Sequence, residues 1–558
     1  MKKRLSIRHR SCKLPDELSW NRLSVDQFSR KPQAGLGCVS NTASGGLTLS
    51  GAIGGTGDFT LVTTNGAMTV SGAITNTGDI TVKTTGGKIT VSGAITNTGN
   101  LTLQNDTSTD GQVTISGNIN TFGCITNSGS GSGRTEFSGL LGTNVHRLVQ
   151  NGSSKWYSGA NNNSFTGAVI IMKGQVQSAN DTFYQSWGTG PVTLAAGSES
   201  NDTQLTVSGG ANNGTFVSPI TVEANNPGRA SIVQSCANDP RTFSGLITLN
   251  SHDLTIRGQS GNTLTLNGGV TGTGSLDLNP QAVGITMGAV NPIGAITIRG
   301  DNANTADLGT IGDNVTGVTN NGPGSILRLD SASTYSGPTV LNAGTSRVDM
   351  SSAGTTASIT SGPFGKGTLI LNGGALMTLT ATDRRILNAV TINSNTVFGA
   401  AATYTGSLTF SNTVTLGSAT PTLTVNLPTS DWVRFDGAVE GSGGIVKDGD
   451  GILILDDANT YSGDTTINAG RLTLKTTNSL PTTTVLNINA SGTSHLDFVG
   501  TNRVAELWLG GEKQAGGATY GGTGSGADVV NTTYFITGSG VLQTQVPDAP
   551  RGTVILLR

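Results

Sequence analysis

Three stretches decide how this chain folds: "LSGAIGGTGDFTL" (49–61), "VSGAITNTGDITV" (70–82) and "VSGAITNTGNLTL" (91–103). They align without gaps, and their first residues stand 21 apart. A fourth fragment, "ISGNIN" from Ile115, follows after 24 residues, the same unit with a short loop insertion. Within each unit, apolar residues alternate with Thr or Ser at period two, the pattern of a half-buried strand. Gly-Asp, Gly-Asn and Asn-Thr-Gly separate the runs, and such residues are expected to supply left-handed turn conformations. The texture continues in "DLTIRG" (253–258), "NTLTLNG" (262–268) and "GILILDD" (451–457), with no amphipathic helical pattern in the repeat region.

A unit of this length discriminates between all-β architectures. Propeller blades need about 40–50 residues, whereas one turn of a parallel coil closes in roughly 20–25 and sets equivalent residues above one another. The expected fold is an all-β, right-handed parallel β-helix, a β-solenoid with a C-terminal cap. In it Ile53, Ile74 and Ile95 form an internal aliphatic column, and Thr56, Thr77 and Thr98 stack at one turn beside Gly55, Asn76 and Asn97.

Composition narrows the functional classes. Charged residues are 12% of the chain and glycines number 82 of 558. The formal charge of −2 favours neither a nucleic-acid nor an anionic-membrane partner. Cys12, Cys38, Cys124 and Cys236 contain no CxxC, which excludes a zinc ribbon and a disulfide-dense scaffold and leaves their pairing open. No segment approaches the ~18 consecutive apolar residues of a membrane-spanning helix. The opening "MKKRLSIRHRSCKLPDELSWNRLSVDQFSRKPQ" (1–33) is basic but lacks the apolar run of a secretory signal. It reads as a disordered leader or as a wrongly assigned start.

Further along, "GSGGIVKDGDGILILDDANTYSGDTTINAGRLTL" (441–474) resembles the autotransporter-associated β-strand repeat, also called the passenger-associated transport repeat. The matching positions are Lys447, Gly449, Gly451, Leu453, Leu455, Asn459, Thr460, Tyr461, Gly463, Thr465, Ile467, Gly470 and Leu472. A copy at 332–348 keeps Thr334, Tyr335, Gly337, Thr339 and Gly344, with Ser333 in place of the asparagine. The resemblance implies a passenger-type protein, exported and displayed or released outside the cell, whose repeat aids transport and folding. The segment 495–544 resembles closing segments of such proteins, with Trp508, Tyr520 and Tyr534 covering the last rung; an uncovered rung is a bare sheet edge. The expected organisation is a leader (1–40), short rungs (41–125), an irregular β-helix with loops (126–320), a β-helix carrying the repeats (321–490), closing rungs or cap (491–545) and a tail (546–558).

The candidates for chemistry are few. Tyr461 and Tyr335 are expected inside the coil rather than stacking on sugars, and Asn459 at a turn, bonding its own backbone. Asp456 and Asp457 are adjacent on a strand, so they point to opposite faces and cannot flank one glycosidic bond. Asp448 and Asp450 share a face, but calcium wants about six to eight oxygens and no third carboxylate follows. Ser251, His252 and Asp253 are sequence neighbours and cannot form a triad from one strand. His9, His146 and His495 are scattered. Asp383 with Arg384 and Arg385 reads as an exposed turn. No catalytic, cofactor-binding or metal-binding residue is assigned, and no cofactor is expected.

The leading reading is a non-enzymatic extracellular or cell-surface solenoid, an adhesin-like scaffold whose partners are surface glycans or neighbouring copies. The alternatives are a carbohydrate-active β-helix enzyme and a glycan-binding module. The enzyme would place its site in the irregular 126–320 region, where the aromatic-polar segments "KWYSGANNN" (155–163) and "DTFYQSWGTG" (181–190) are suited to lining a groove. A catalytic groove demands an acid and a base within about 10 Å, whereas glycan binding demands an exposed aromatic row.

Overall fold

The computed structural model describes residues 22–25, 37–162, 164–178, 186–208, 214–235 and 240–545, and every regular element among them is a strand or short bridge. Two compact units divide the chain, Met1–Ile293 and Gly294–Arg558. In both, a strand pairs in parallel with the strand one coil later, so each unit is a β-solenoid.

In the first unit the 21-residue repeat is one coil with three strands. Ile53 pairs with Ile74 and Ile74 with Ile95. Phe59, Ile80 and Leu101 are in register on the second face, as are Met68, Ile89 and Val113 on the third. Ile74, Ile80, Val82, Ile89 and Val91 are completely buried. Burial of such a side chain stabilises by about 2 kcal/mol, and a coil reaches it only by stacking on the coils before and after it. The Ile column runs on through bridges to Ile119 and Leu141.

Polar residues at the corners satisfy the backbone of the turns. Asn76 is buried and its Nδ2 donates to the carbonyls of Gly57 (2.9 Å) and Gly78 (3.1 Å). Asn97 repeats this one coil later with Gly99 (2.8 Å). Outside, the Asp58 carboxylate accepts from the Asp79 N–H (3.0 Å) and Asp79 from the Asn100 N–H (2.7 Å), each side chain capping the coil that follows. Thr98 donates its hydroxyl to the Thr77 carbonyl (2.7 Å), which ties the exposed threonine stack together.

The turn glycines depart from expectation. Gly57, Gly78 and Gly99 all have φ outside the left-handed region. At Gly78 what forbids a side chain is proximity: a Cβ would lie 2.5 Å from the Gly57 carbonyl carbon. Stacked turns bring main chain against main chain, and only a hydrogen atom fits between them.

Strand structure begins within the stretch expected as a leader. Arg22–Val25 pairs with Gly46–Leu49, and Gly37–Asn41 with Phe59–Thr63. Cys38 is disulfide-bonded and Cys124 is a half-buried free thiol. Cys12, Cys236, His9 and the tail 546–558 lie outside the described residues.

The second unit keeps the coil but decorates it. An antiparallel hairpin, Ala353–Thr355 with Ser358–Ser361, is inserted between coil strands and is largely exposed. The closing segment abandons all-parallel pairing. Glu506–Leu509 pairs antiparallel with Glu512–Lys513, and Gly540–Thr544 pairs parallel with Gly500–Val504 but antiparallel with Thr519–Gly521. Tyr520 is buried and donates to the Ala515 carbonyl (3.0 Å), while Phe535 plugs the interior. Trp508 stays at the surface, its indole N–H on Glu506 (3.0 Å). Changes of strand direction of this kind end a sheet whose edge would otherwise template further pairing.

Candidate functional site

The repeat phrase at 445–474 forms coil wall and little else. Ile445–Asp448 and Ile452–Leu455 both pair with the long strand Thr465–Leu474. Tyr461 is fully buried, its hydroxyl 2.6 Å from Thr465 Oγ1; Tyr335 repeats the contact with Thr339 at 2.5 Å. Burial pushes both phenols well above their ordinary pKa. Gly470 has φ +67°, and its own Cβ would lie 2.6 Å from the Gly451 oxygen, so backbone conformation and crowding both demand glycine.

Two buried polar residues brace this turn. Lys447 has no exposed surface, and its ammonium donates to the carbonyls of Asp448 (2.8 Å), Gly449 (2.7 Å) and Ala469 (3.0 Å). Burial pulls its pKa down to about 8, against the opposing pull of Asp448 and Asp450, so it stays largely charged at pH 7. Asn459 does not bond its own backbone. Its Oδ1 accepts from the Val439 N–H (2.6 Å) and its Nδ2 donates to the Ser479 carbonyl (2.7 Å), bridging the coils before and after it. Asn459→Ala leaves a buried donor and a buried acceptor unsatisfied, and should lower unfolding stability by about 2 kcal/mol. Denaturant midpoints of variant and parent test this; equal midpoints would show that water replaces the amide.

The remaining sequence candidates do not converge. Asp456 pairs with Arg434, and Asp457 accepts from the Ala458 N–H. Asp450 is exposed and Asp448 half-buried at the solvent side of the Lys447 turn. His252 is held by main-chain oxygens of Asp253, Asn226 and Gly228, not by a hydroxyl and a carboxylate. Arg384 ion-pairs with Asp349 (2.6 Å), Arg385 Nε donates to Ser411 (2.8 Å), and Asp383 caps the Ser407 N–H (2.9 Å). Of the aromatics in the two segments suited to a groove, Trp156 and Trp187 are buried, Trp187 stacking on Phe216 at 4.9 Å, and Tyr157 is half-buried with the Arg134 guanidinium 4.1 Å over its ring. Residues 181–185 lie outside the described residues. Among the described residues no three His, Cys, Asp or Glu side chains gather as a metal site, and no helix is long and apolar enough to cross a membrane.

What the sequence did not suggest is an outward face of the second unit. Trp432, Ile452, Arg471 and Thr493 are in register on successive coils. Ser494 bridges Phe535, which brings Tyr534 next in line. The column beside it runs Arg434, Ile454, Thr473 and His495. Ile452 and Ile454 point outward yet are only 4% and 9% exposed, so neighbouring side chains lie over them. The sequence spacings along these columns are unequal, which hides them from any search for periodicity.

The family described as passenger-associated-transport-repeat matches residues 324–345 and 445–474. Among curated proteins, the chain is similar to the adhesin BmaC autotransporter of Brucella suis biovar 1 (strain 1330), with 29% identity over 343 residues. That alignment covers 60% of this chain and 8% of the relative, so the chain spans a small fraction of that protein's length. No solved structure matches. The chain thus carries two passenger-associated transport repeats, each supplying coil strands to a parallel β-solenoid.

Proposed function

We propose that this protein is a non-enzymatic, autotransporter-passenger-like β-solenoid that serves as an adhesin-like scaffold, located outside the cell or on its outer surface. One observation carries the reading: the side chains that define the repeat, Lys447, Asn459, Tyr461 and Thr465, are all buried and bonded within the coil. They build turns and leave recognition to the outward residues between them. Similarity to a protein named as an adhesin agrees with this division of labour. A surface of many stacked coils can bind by summing weak contacts, since linked sites gain effective concentration without any single tight one. Partners are surface glycans or neighbouring copies of the chain.

Beads coated with the full chain, tested against glycan-coated and matrix-coated surfaces under flow, should be retained above beads carrying heat-denatured protein. Equal retention would remove the adhesin reading. Turnover of any member of a polysaccharide panel by the purified chain would remove the non-enzymatic one.

A further inference from the structure

The outward columns of the second unit form a face whose charges are paired with one exception. Arg434 pairs with both Asp436 and Asp456, and Lys475 with Asp497 at 2.5 Å. Arg471, in the middle of the column, has no hydrogen bond or ion pair on its guanidinium among the described residues, and its Nε is buried without a partner. His495 is held below its ordinary pKa by burial first, then by the charges of Arg471 and Lys475, with Asp497 opposing.

A guanidinium presents a planar fork matched to a carboxylate, and a half-buried one is normally so paired. Half-exposed aromatics stand on both sides of it: Trp432 two coils before, and Tyr534 two coils after. At about 4.8 Å per coil the row from Trp432 to Tyr534 is roughly 19 Å long. The strands along it are paired with the coils before and after, so an extended peptide finds no free backbone edge to add to. Recognition falls to side chains: flat aromatic faces, the Thr493 hydroxyl and one unpaired cation. That combination suits the C–H faces and hydroxyls of a sugar chain bearing a carboxylate.

We propose that the outward row from Trp432 through Arg471 and Thr493 to Tyr534 binds an acidic oligosaccharide of the hexuronate class, with Arg471 pairing a sugar carboxylate and the two aromatics stacking on rings toward opposite ends of the oligosaccharide. The inference rests on the adhesin-like reading and specifies its ligand. It is tested by titrating the full chain calorimetrically with tetragalacturonate and with its methyl ester, which keeps the rings and removes the charge. Arg471→Gln should weaken tetragalacturonate binding about tenfold or more, as expected for losing a charge-assisted pair. The ester should bind parent and variant alike and weakly. Lys88→Gln, which removes an exposed cation from the first unit, should leave binding unchanged, and circular dichroism should show all variants folded. Trp432→Ala should weaken acid and ester together.

No saturable binding by the parent, or equal weakening by Arg471→Gln and Lys88→Gln, overturns the site. Failure here separates cleanly from failure of the adhesin reading. If beads are retained on surfaces but Arg471→Gln beads are retained equally, this row is wrong and the adhesin reading stands. If tetragalacturonate binds through Arg471 and no surface retains the beads, the site stands and the adhesin reading falls.

Discussion

A Gly93→Ala variant is expected to lose about 3 kcal/mol of stability, the upper end for overpacking a site that cannot relax. The added methyl would overlap the Gly72 carbonyl oxygen of the preceding coil and sit 2.5 Å from that residue's carbonyl carbon. Neither atom can swing away, because the same turn is pinned by hydrogen bonds from the Ser92 and Gly93 N–H groups to the Val70 carbonyl at 2.9 and 3.2 Å. The coil above offers no escape either, since Gly117 stands on Gly93 in the same close manner. Ser92→Ala, one residue away and exposed, is the matched control and should stay within about 0.5 kcal/mol of the parent. Denaturant midpoints of the two variants decide the matter. Equal midpoints would mean that the turns slide apart easily, which would undo the account of why this chain needs so much glycine.

Tyr461→Ala should be larger still, about 4 kcal/mol, because truncating a fully buried aromatic leaves a cavity in a coil held on both sides. Tyr461→Phe separates ring from hydroxyl. It should cost only about 1 kcal/mol, the net worth of the bond to Thr465 at 2.6 Å. If the ring served a ligand instead, Tyr461→Ala would spare the denaturant midpoint and reduce retention on surfaces. The opposite pattern is expected, a lowered midpoint with any loss of retention following from unfolding. Tyr335, buried against Thr339 in the other copy, should behave the same way.

The coil itself was legible because near-identical rungs repeat at constant spacing. Ile53, Ile74 and Ile95 fall in one register and face the core as the 21-residue period demands. Tyr461 inside the coil was legible from its fixed place in the phrase. The physical reason for the turn glycines was not. The residues Gly57, Gly78 and Gly99 are marked in the sequence, but left-handed dihedrals and main-chain crowding both select glycine, and only coordinates tell them apart. The reach of Asn459 to the coils on either side was likewise invisible, because an asparagine at a turn has a local partner available and the competing partners lie about twenty residues away.

The sequence alone determined the parallel solenoid, its rung and its inward columns, since a two-residue side-chain alternation inside a fixed period leaves one arrangement that buries every apolar position. Tertiary structure decided which outward residues share a face. Loops of unequal length carry Trp432, Arg471 and Tyr534 into one line, and no periodicity in the chain records that alignment. It decided the closing segment as well, where antiparallel pairings join the parallel ladder.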